Sequence, residues 1–168
     1  NVLINRASGS AVVQLTTGYP LTILNDINLS SGDFNANSQN VSIGGDYSIS
    51  SGTTYTTGTN TTIFNGSGSQ SFTVDLASPL TLNNLTITKS AGDVLSMAGS
   101  QTAINVSGIF NLTTGTFDDN GDVITIAGNV YNSGIHTGAG KISLTTAASV
   151  QTIDGGGFWY DFFFVIGA

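Results

Sequence analysis

Phe110-Asn111-Leu112-Thr113-Thr114-Gly115-Thr116-Phe117 restates Ile27-Asn28-Leu29-Ser30-Ser31-Gly32-Asp33-Phe34, with the apolar residues, the hydroxyl pair and the glycine all in place. The offset is 83 residues, and at that offset the first 47 positions align without a gap. Upstream, Asn1-Val2-Leu3-Ile4-Asn5-Arg6 falls on Asn84-Leu85-Thr86-Ile87-Thr88-Lys89, Gly9 on Gly92, and Leu21-Thr22-Ile23 on Ile104-Asn105-Val106. Downstream, Val41-Ser42-Ile43 and Gly45 fall on Ile124-Thr125-Ile126 and Gly128. Small gaps follow: Ser69-Gln70-Ser71-Phe72 resembles Val150-Gln151-Thr152-Ile153, and Asn84-Leu85-Thr86-Ile87 resembles Asp161-Phe162-Phe163-Phe164. The expected organisation is a first repeat unit over 1–83, a second over 84–160, and the opening strand of a third over 161–168.

A shorter period lies inside the unit. Apolar-x-apolar pairs occur at Val2/Ile4, Leu21/Ile23, Val41/Ile43, more weakly at Thr61/Ile63, then at Leu85/Ile87, Ile104/Val106, Ile124/Ile126, Ile142/Leu144 and Phe162/Phe164. Two side chains on one face of a short strand give such a pair, and the intervening Gly, Asn and Asp supply turns. Recurrence of like with like about every 20 residues predicts an all-β fold: a parallel β-solenoid or β-helix whose rungs stack apolar positions on one another. Tandem antiparallel β-sandwich domains are the rival, with hairpin turns at Asn65-Gly66, Asn120-Gly121 and Asp154-Gly155.

Composition agrees. Only 8% of the 168 residues are charged, all ten acidic residues are Asp, and the basic residues are Arg6, Lys89 and Lys141. Glu, Lys and Arg favour exposed helix faces, so their scarcity argues against surface helices. Ser and Thr make up about a quarter of the chain and Gly numbers 22, which suits strands joined by tight turns. A net charge of −7 and no basic stripe argue against nucleic acid and against an anionic membrane surface as partners. With no Cys, a secreted protein must be held by its core, by stacking or by metal. No signal peptide or transmembrane span is visible, and the chain reads as a piece of a longer protein.

The phrases Asn84-Leu-Thr-Ile-Thr-Lys-Ser-Ala-Gly92 and Val106-Ser-Gly-Ile-Phe-Asn-Leu-Thr-Thr-Gly-Thr-Phe-Asp-Asp-Asn-Gly-Asp-Val-Ile-Thr-Ile-Ala-Gly-Asn129 resemble a repeat of very large Bacteroidetes-type surface proteins. Gln151-Thr-Ile-Asp-Gly155 fits the same style, so the resemblance spans nearly the whole chain. It implies an exported adhesin or filament at the extracellular face of a bacterial cell, of the gliding or attachment kind and carried by the type IX secretion route. The expected role is a stiff stalk whose partners are neighbouring repeats or other surface subunits; the alternatives are a module that binds surface glycans with Ca²⁺ at the Asp118–Asp122 turn, and a filament subunit that self-assembles through the Phe158–Ile166 strand. The run from Phe158 to Ile166 departs from the pattern, because polar residues should alternate there.

Candidate sites are few. One His (His136), no Cys and no Glu leave little for an enzyme to converge. No Gly-x-Ser-x-Gly elbow frames a serine, and no carboxylate cluster suggests sugar cleavage; the expectation is no enzyme. His136 lacks a metal-spaced partner and reads as a loop residue. Asp118, Asn120 and Asp122 are the candidate Ca²⁺ ligands, because oxygen donors crowd one turn; against them, the sister repeat reads Asn35-Ala36-Asn37-Ser38-Gln39. An Asx-rich turn is the competing account. Phe158, Trp159, Tyr160, Phe162 and Phe164 form the candidate interaction strand, too short for a membrane span and otherwise a buried rung. A Thr array suited to ice fails because Thr does not recur at every rung.

Overall fold

The structure is a computed structural model that describes residues 1–6, 12–145, 150–159 and 165–166, the last two as backbone only. Every regular element among them is a β-strand, and every strand pairing is parallel. Parallel pairing of sequence-adjacent strands requires a crossover. Here the chain supplies it by winding around a common axis through three faces, as a β-solenoid of about seven turns; the tandem-sandwich alternative is not what forms.

The first face holds Leu21–Ile23, Val41–Ile43, Thr61–Phe64, Asn84–Thr88, Phe110–Thr114, Val130–Asn132 and Ile153–Asp154 in order. The second runs from Val2–Asn5 through the start of Ile27–Asn35, then Tyr47–Ile49, Gln70–Val74, Val94–Ala98, Thr116–Asp118, Ile135–Thr137 and Phe158–Trp159. The third is in two parts. Val12–Gln14, the end of Ile27–Asn35 and Thr53–Thr56 form one. Leu80–Leu82, Ala103–Val106, Val123–Ile126, Lys141–Leu144 and Val165–Ile166 form the other.

Following the first face from Leu21 through Val41, Thr62, Leu85, Phe110 and Val130 to Ile153 gives turns of 20, 21, 23, 25, 20 and 23 residues. The 83-residue offset is therefore not a whole number of turns. Four turns carry Leu21 to Phe110, whereas the sequence match carries it to Ile104, one face earlier. Likewise Ile27 on the second face matches Phe110 on the first, and Phe34 on the third matches Phe117 on the second. The repeat is a rotation about the axis by one face as well as a translation. The apolar pairs that look like one ladder in sequence thus belong to three ladders, with three short strands per turn. The first and second faces run unbroken past Asn83 and Asn84.

The core is the axial stack of inward side chains. Ile4, Leu29, Ile49 and Val74 climb one column of the second face, and Ile27, Tyr47 and Phe72 its neighbour. Ile23, Ile43, Phe64, Ile87 and Leu112 climb the first, and Leu82, Val106, Ile126 and Leu144 the third. Aromatic rings interlock at the centre: Phe64 lies 5.0 Å from Phe72, which stacks at 5.2 Å on Tyr47. One phase differs from the sequence expectation. Thr62 and Phe64 point inward, fully buried, and Ile63 lies between them on the outer side; a buried Thr is invisible to a search for apolar pairs.

The corners explain the composition. Asp26 Oδ1 accepts from the Asp46 N–H at 3.0 Å, and Asp46 Oδ1 from the Ser71 N–H at 2.8 Å. Asn40, Asp75, Asn84 and Asn129 accept in the same way from Thr61, Ser100, Ile109 and Thr152 of the next turn. Short acceptors without long alkyl arms suit this task, so Asp and Asn serve and Glu does not. Glycine is required where corners stack most closely: a Cβ on Gly66 would stand 1.7 Å from the Gly44 carbonyl oxygen.

Candidate functional site

Within Asp118–Asp122 the side chains differ in burial. Asp118 faces outward and is half-buried, Asp119 faces the interior with 0% exposure, Asn120 sits exposed at the tip and Asp122 is buried. Asp118 Oδ1 accepts from the Asn120 N–H at 2.9 Å, and the Asp122 N–H donates to the Asp119 carbonyl at 2.9 Å. Asn120 and Gly121 take φ values of 52° and 89°. The sister turn is built identically without a carboxylate. Asn35 Oδ1 accepts from the Asn37 N–H at 2.7 Å, the Gln39 N–H donates to Ala36 O at 2.8 Å, and Asn37 and Ser38 have φ of 50° and 62°. Asp118 thus does what Asn35 does. No group of three His, Cys, Asp or Glu side chains able to hold a metal occurs among the described residues.

The residue that differs is the buried one: Asp119 replaces Ala36. Its Oδ1 accepts from the Gly121 and Gly140 N–H groups, both at 2.9 Å. In the sister turn the corresponding inter-turn bond, from Thr59 N–H, is taken by the Ser38 hydroxyl at 3.1 Å. Asp119 Oδ2 lies 3.1 Å from His136 Nε2. His136 Nδ1 has no hydrogen-bond partner among the described residues.

His136 is not a loop residue. It lies on the strand Ile135–Thr137, 1% exposed, in register between Phe117 and Trp159, with ring centroids 5.8 Å and 5.3 Å away. Its counterpart is Tyr55, stacked on Phe34 at 5.4 Å. The sequence signal for the inward orientation was the Phe34–Ala36 and Phe117–Asp119 correspondence, which sets the phase of that strand.

Electrostatics follow from burial. Burial acts to raise the Asp119 carboxyl pKa, but His136 and the two glycine N–H groups outweigh it, and the group ends below the usual carboxylate range. Asp122 is pushed up by its own burial and then by the charge of Asp119. Lys89, 2% exposed, donates from Nζ to the Gly66 carbonyl at 2.7 Å and to Gln70 Oε1. Burial lowers its pKa, with Asp93 and Asp46 acting in the opposite direction.

Of the candidate interaction strand, Phe158 is 69% exposed and Trp159 is half-buried against His136. Tyr160, Phe162 and Phe164 lie outside the described residues. The structure brings together Asp119, His136 and Trp159. Asp118, Asn120 and Asp122 do not share one side: the turn through Asn120 and Gly121, both at positive φ, leaves Asp118 half-buried and Asn120 exposed and buries Asp122. Comparison of the chain with protein-family models, with curated proteins and with solved structures returned no match.

Proposed function

We propose that this chain is a stiff, non-catalytic segment of an exported bacterial surface protein, serving as a stalk or adhesive filament at the extracellular face. The observation that carries the reading is the uninterrupted parallel stack, its apolar interior filled from turn to turn and its corners tied by Asn and Asp to the turn before. Such a stack resists bending and extends by adding turns, each contacting only its neighbours. The one histidine, closed off between Phe117 and Trp159, supports a structural role over a catalytic one. Neighbouring repeats or other surface subunits are the partners this reading supplies.

The test is immunolabelling of the parent protein on intact and lysed cells. Labelling on intact cells is expected, and signal appearing only after lysis overturns the reading. For the mechanical part, pulling the chain by its ends in a force spectrometer should give stepwise unwinding of turns at high force. Extension at forces typical of a random coil would overturn it.

A further inference from the structure

A groove of about 580 Å³ runs along the outer corner between the first and second faces, crossing four consecutive turns. Its floor is main chain at Gly115, Gly134 and Gly157, where stacking leaves no room for a Cβ: one on Gly134 would stand 2.6 Å from Gly115 O, and one on Gly157 2.4 Å from Gly134 O. One wall is apolar, formed by Ile135 and Phe158, register partners on adjacent turns that are 39% and 69% exposed. The groove also carries a hydroxyl on each of three turns. Those of Ser90, Thr116 and Ser133 make no hydrogen bond among the described residues.

Two features narrow the occupant. The groove offers no open charge, because the charged residue lining it, Lys89, turns its ammonium inward to Gly66 O and Gln70. Nor does it offer a free strand edge. The N–H groups of Thr116, Ile135 and Phe158 already donate to Asp93 O, Gly115 O and Gly134 O of the preceding turns at 3.0, 2.9 and 2.9 Å. A peptide strand, which binds a sheet through unpaired main-chain groups, has nothing there to pair with.

The geometry points to a neutral polysaccharide lying along the solenoid axis. A sugar presents an apolar ring face to an aromatic side chain and hydroxyls to Ser and Thr, which is the pairing this groove displays. The turns repeat at ~4.8 Å, close to the advance of one sugar residue in an extended chain, so successive units meet a hydroxyl from successive turns. Phe158 stacks on one ring while Ser90, Thr116 and Ser133 bond to its neighbours. The Asp118–Asp122 turn, at the next corner, plays no part. This site goes beyond the stalk reading and fails independently of it: surface labelling tests one and sugar binding the other.

The experiment is calorimetric titration of the full 168-residue chain with neutral hexasaccharides of β-1,4-glucose, β-1,4-mannose and β-1,3-glucose, and with polygalacturonate as the charged comparison. Saturable binding to at least one is expected. Phe158→Ala should weaken it about tenfold or more, a loss of roughly 1.4 kcal/mol. Ser133→Phe, an exposed substitution that fills the groove, should abolish it, while Leu24→Ala at a distant exposed site leaves it unchanged. Circular dichroism of each variant shows that the fold persists. Absence of saturable binding to all three sugars overturns the proposal. So does undiminished binding by both groove variants, or a preference for polygalacturonate over every neutral chain.

Discussion

Asp119 and His136 occupy places that the earlier half of the chain fills with Ala36 and Tyr55, so the turn does not need them. Their coupling is testable by substitution. Asp119→Ala strands a buried imidazole and removes the acceptor for two N–H groups, which should cost about 1–3 kcal/mol; His136→Phe leaves the carboxylate short of its counter-group. Combining the two should recover part of the loss, because a buried pair replaced whole is far cheaper than one broken. Denaturant titrations of the four species measure this, and strictly additive losses would show that the two residues do not interact. Acid sensitivity follows from the same groups. A carboxyl held below its unfolded value stabilises the fold above that value, about pH 4, and ceases to as pH falls through the folded value. Asp119 behaves so. Asp122, held above its unfolded value, acts oppositely: its contribution is complete at low pH and fades as pH rises through the folded value. Asp119→Asn should therefore lower the melting temperature at pH 7, and by progressively less as pH falls below about 4. Asp122→Asn should raise it at pH 7 and converge with the parent below about pH 4. Melting curves across that range decide both signs.

At the scale of the strand and corner, two devices hold the turns in register: inward stacking, and side-chain acceptors that reach one turn forward. Asp46 illustrates the second, donating its N–H to Asp26 and accepting from Ser71. Asp46→Asn keeps an acceptor of the same length and should be nearly silent. Asp46→Ala orphans the Ser71 N–H and should cost about 1 kcal/mol. Gly66 tests the packing limit. With a Cβ forced toward Gly44 O, Gly66→Ala should cost at least about 1–3 kcal/mol through a shift of the corner. Thermal denaturation of these variants is sufficient, and a Gly66→Ala protein as stable as its parent would mean that the corner moves freely. At this scale the Ca²⁺ candidates also find their explanation. Asp118 is an Asx-turn residue interchangeable in role with Asn35, so Asp118→Asn should leave stability within about 0.5 kcal/mol.

Over the whole molecule, stability is a sum of turns and of contacts between neighbouring turns. Central turns are covered on both sides, and the aromatic cluster of Tyr47, Phe64 and Phe72 lies among them. Hydrogen exchange should therefore be slowest in Thr61–Phe64, Gln70–Val74 and Asn84–Thr88, and faster toward Val2–Asn5 and Phe158–Trp159. Uniform protection from end to end would indicate a single cooperative unit instead. Phe64→Ala, opening a cavity at the centre, should cost about 3–5 kcal/mol and lower protection on both sides.

The sequence alone determined the class of fold. A solenoid repeats its local chemistry at each turn, so apolar pairs, turn residues and the 83-residue echo are written along the chain. It also determined the scarcity of titratable chemistry, and its sister turn, with Asn35 for Asp118, already argued against a metal. Tertiary structure decided what depends on how the chain winds. Turns of 20 to 25 residues made of three strands each cannot be told from rungs of one strand by spacing alone, since every face carries similar apolar pairs. Winding displaced the echo by one face, turned Thr62 inward and brought Asp119 against His136 from successive turns. It also aligned Ser90, Thr116, Ser133 and Phe158 along one groove. These residues lie far apart in sequence, and only the pitch of the solenoid makes them neighbours.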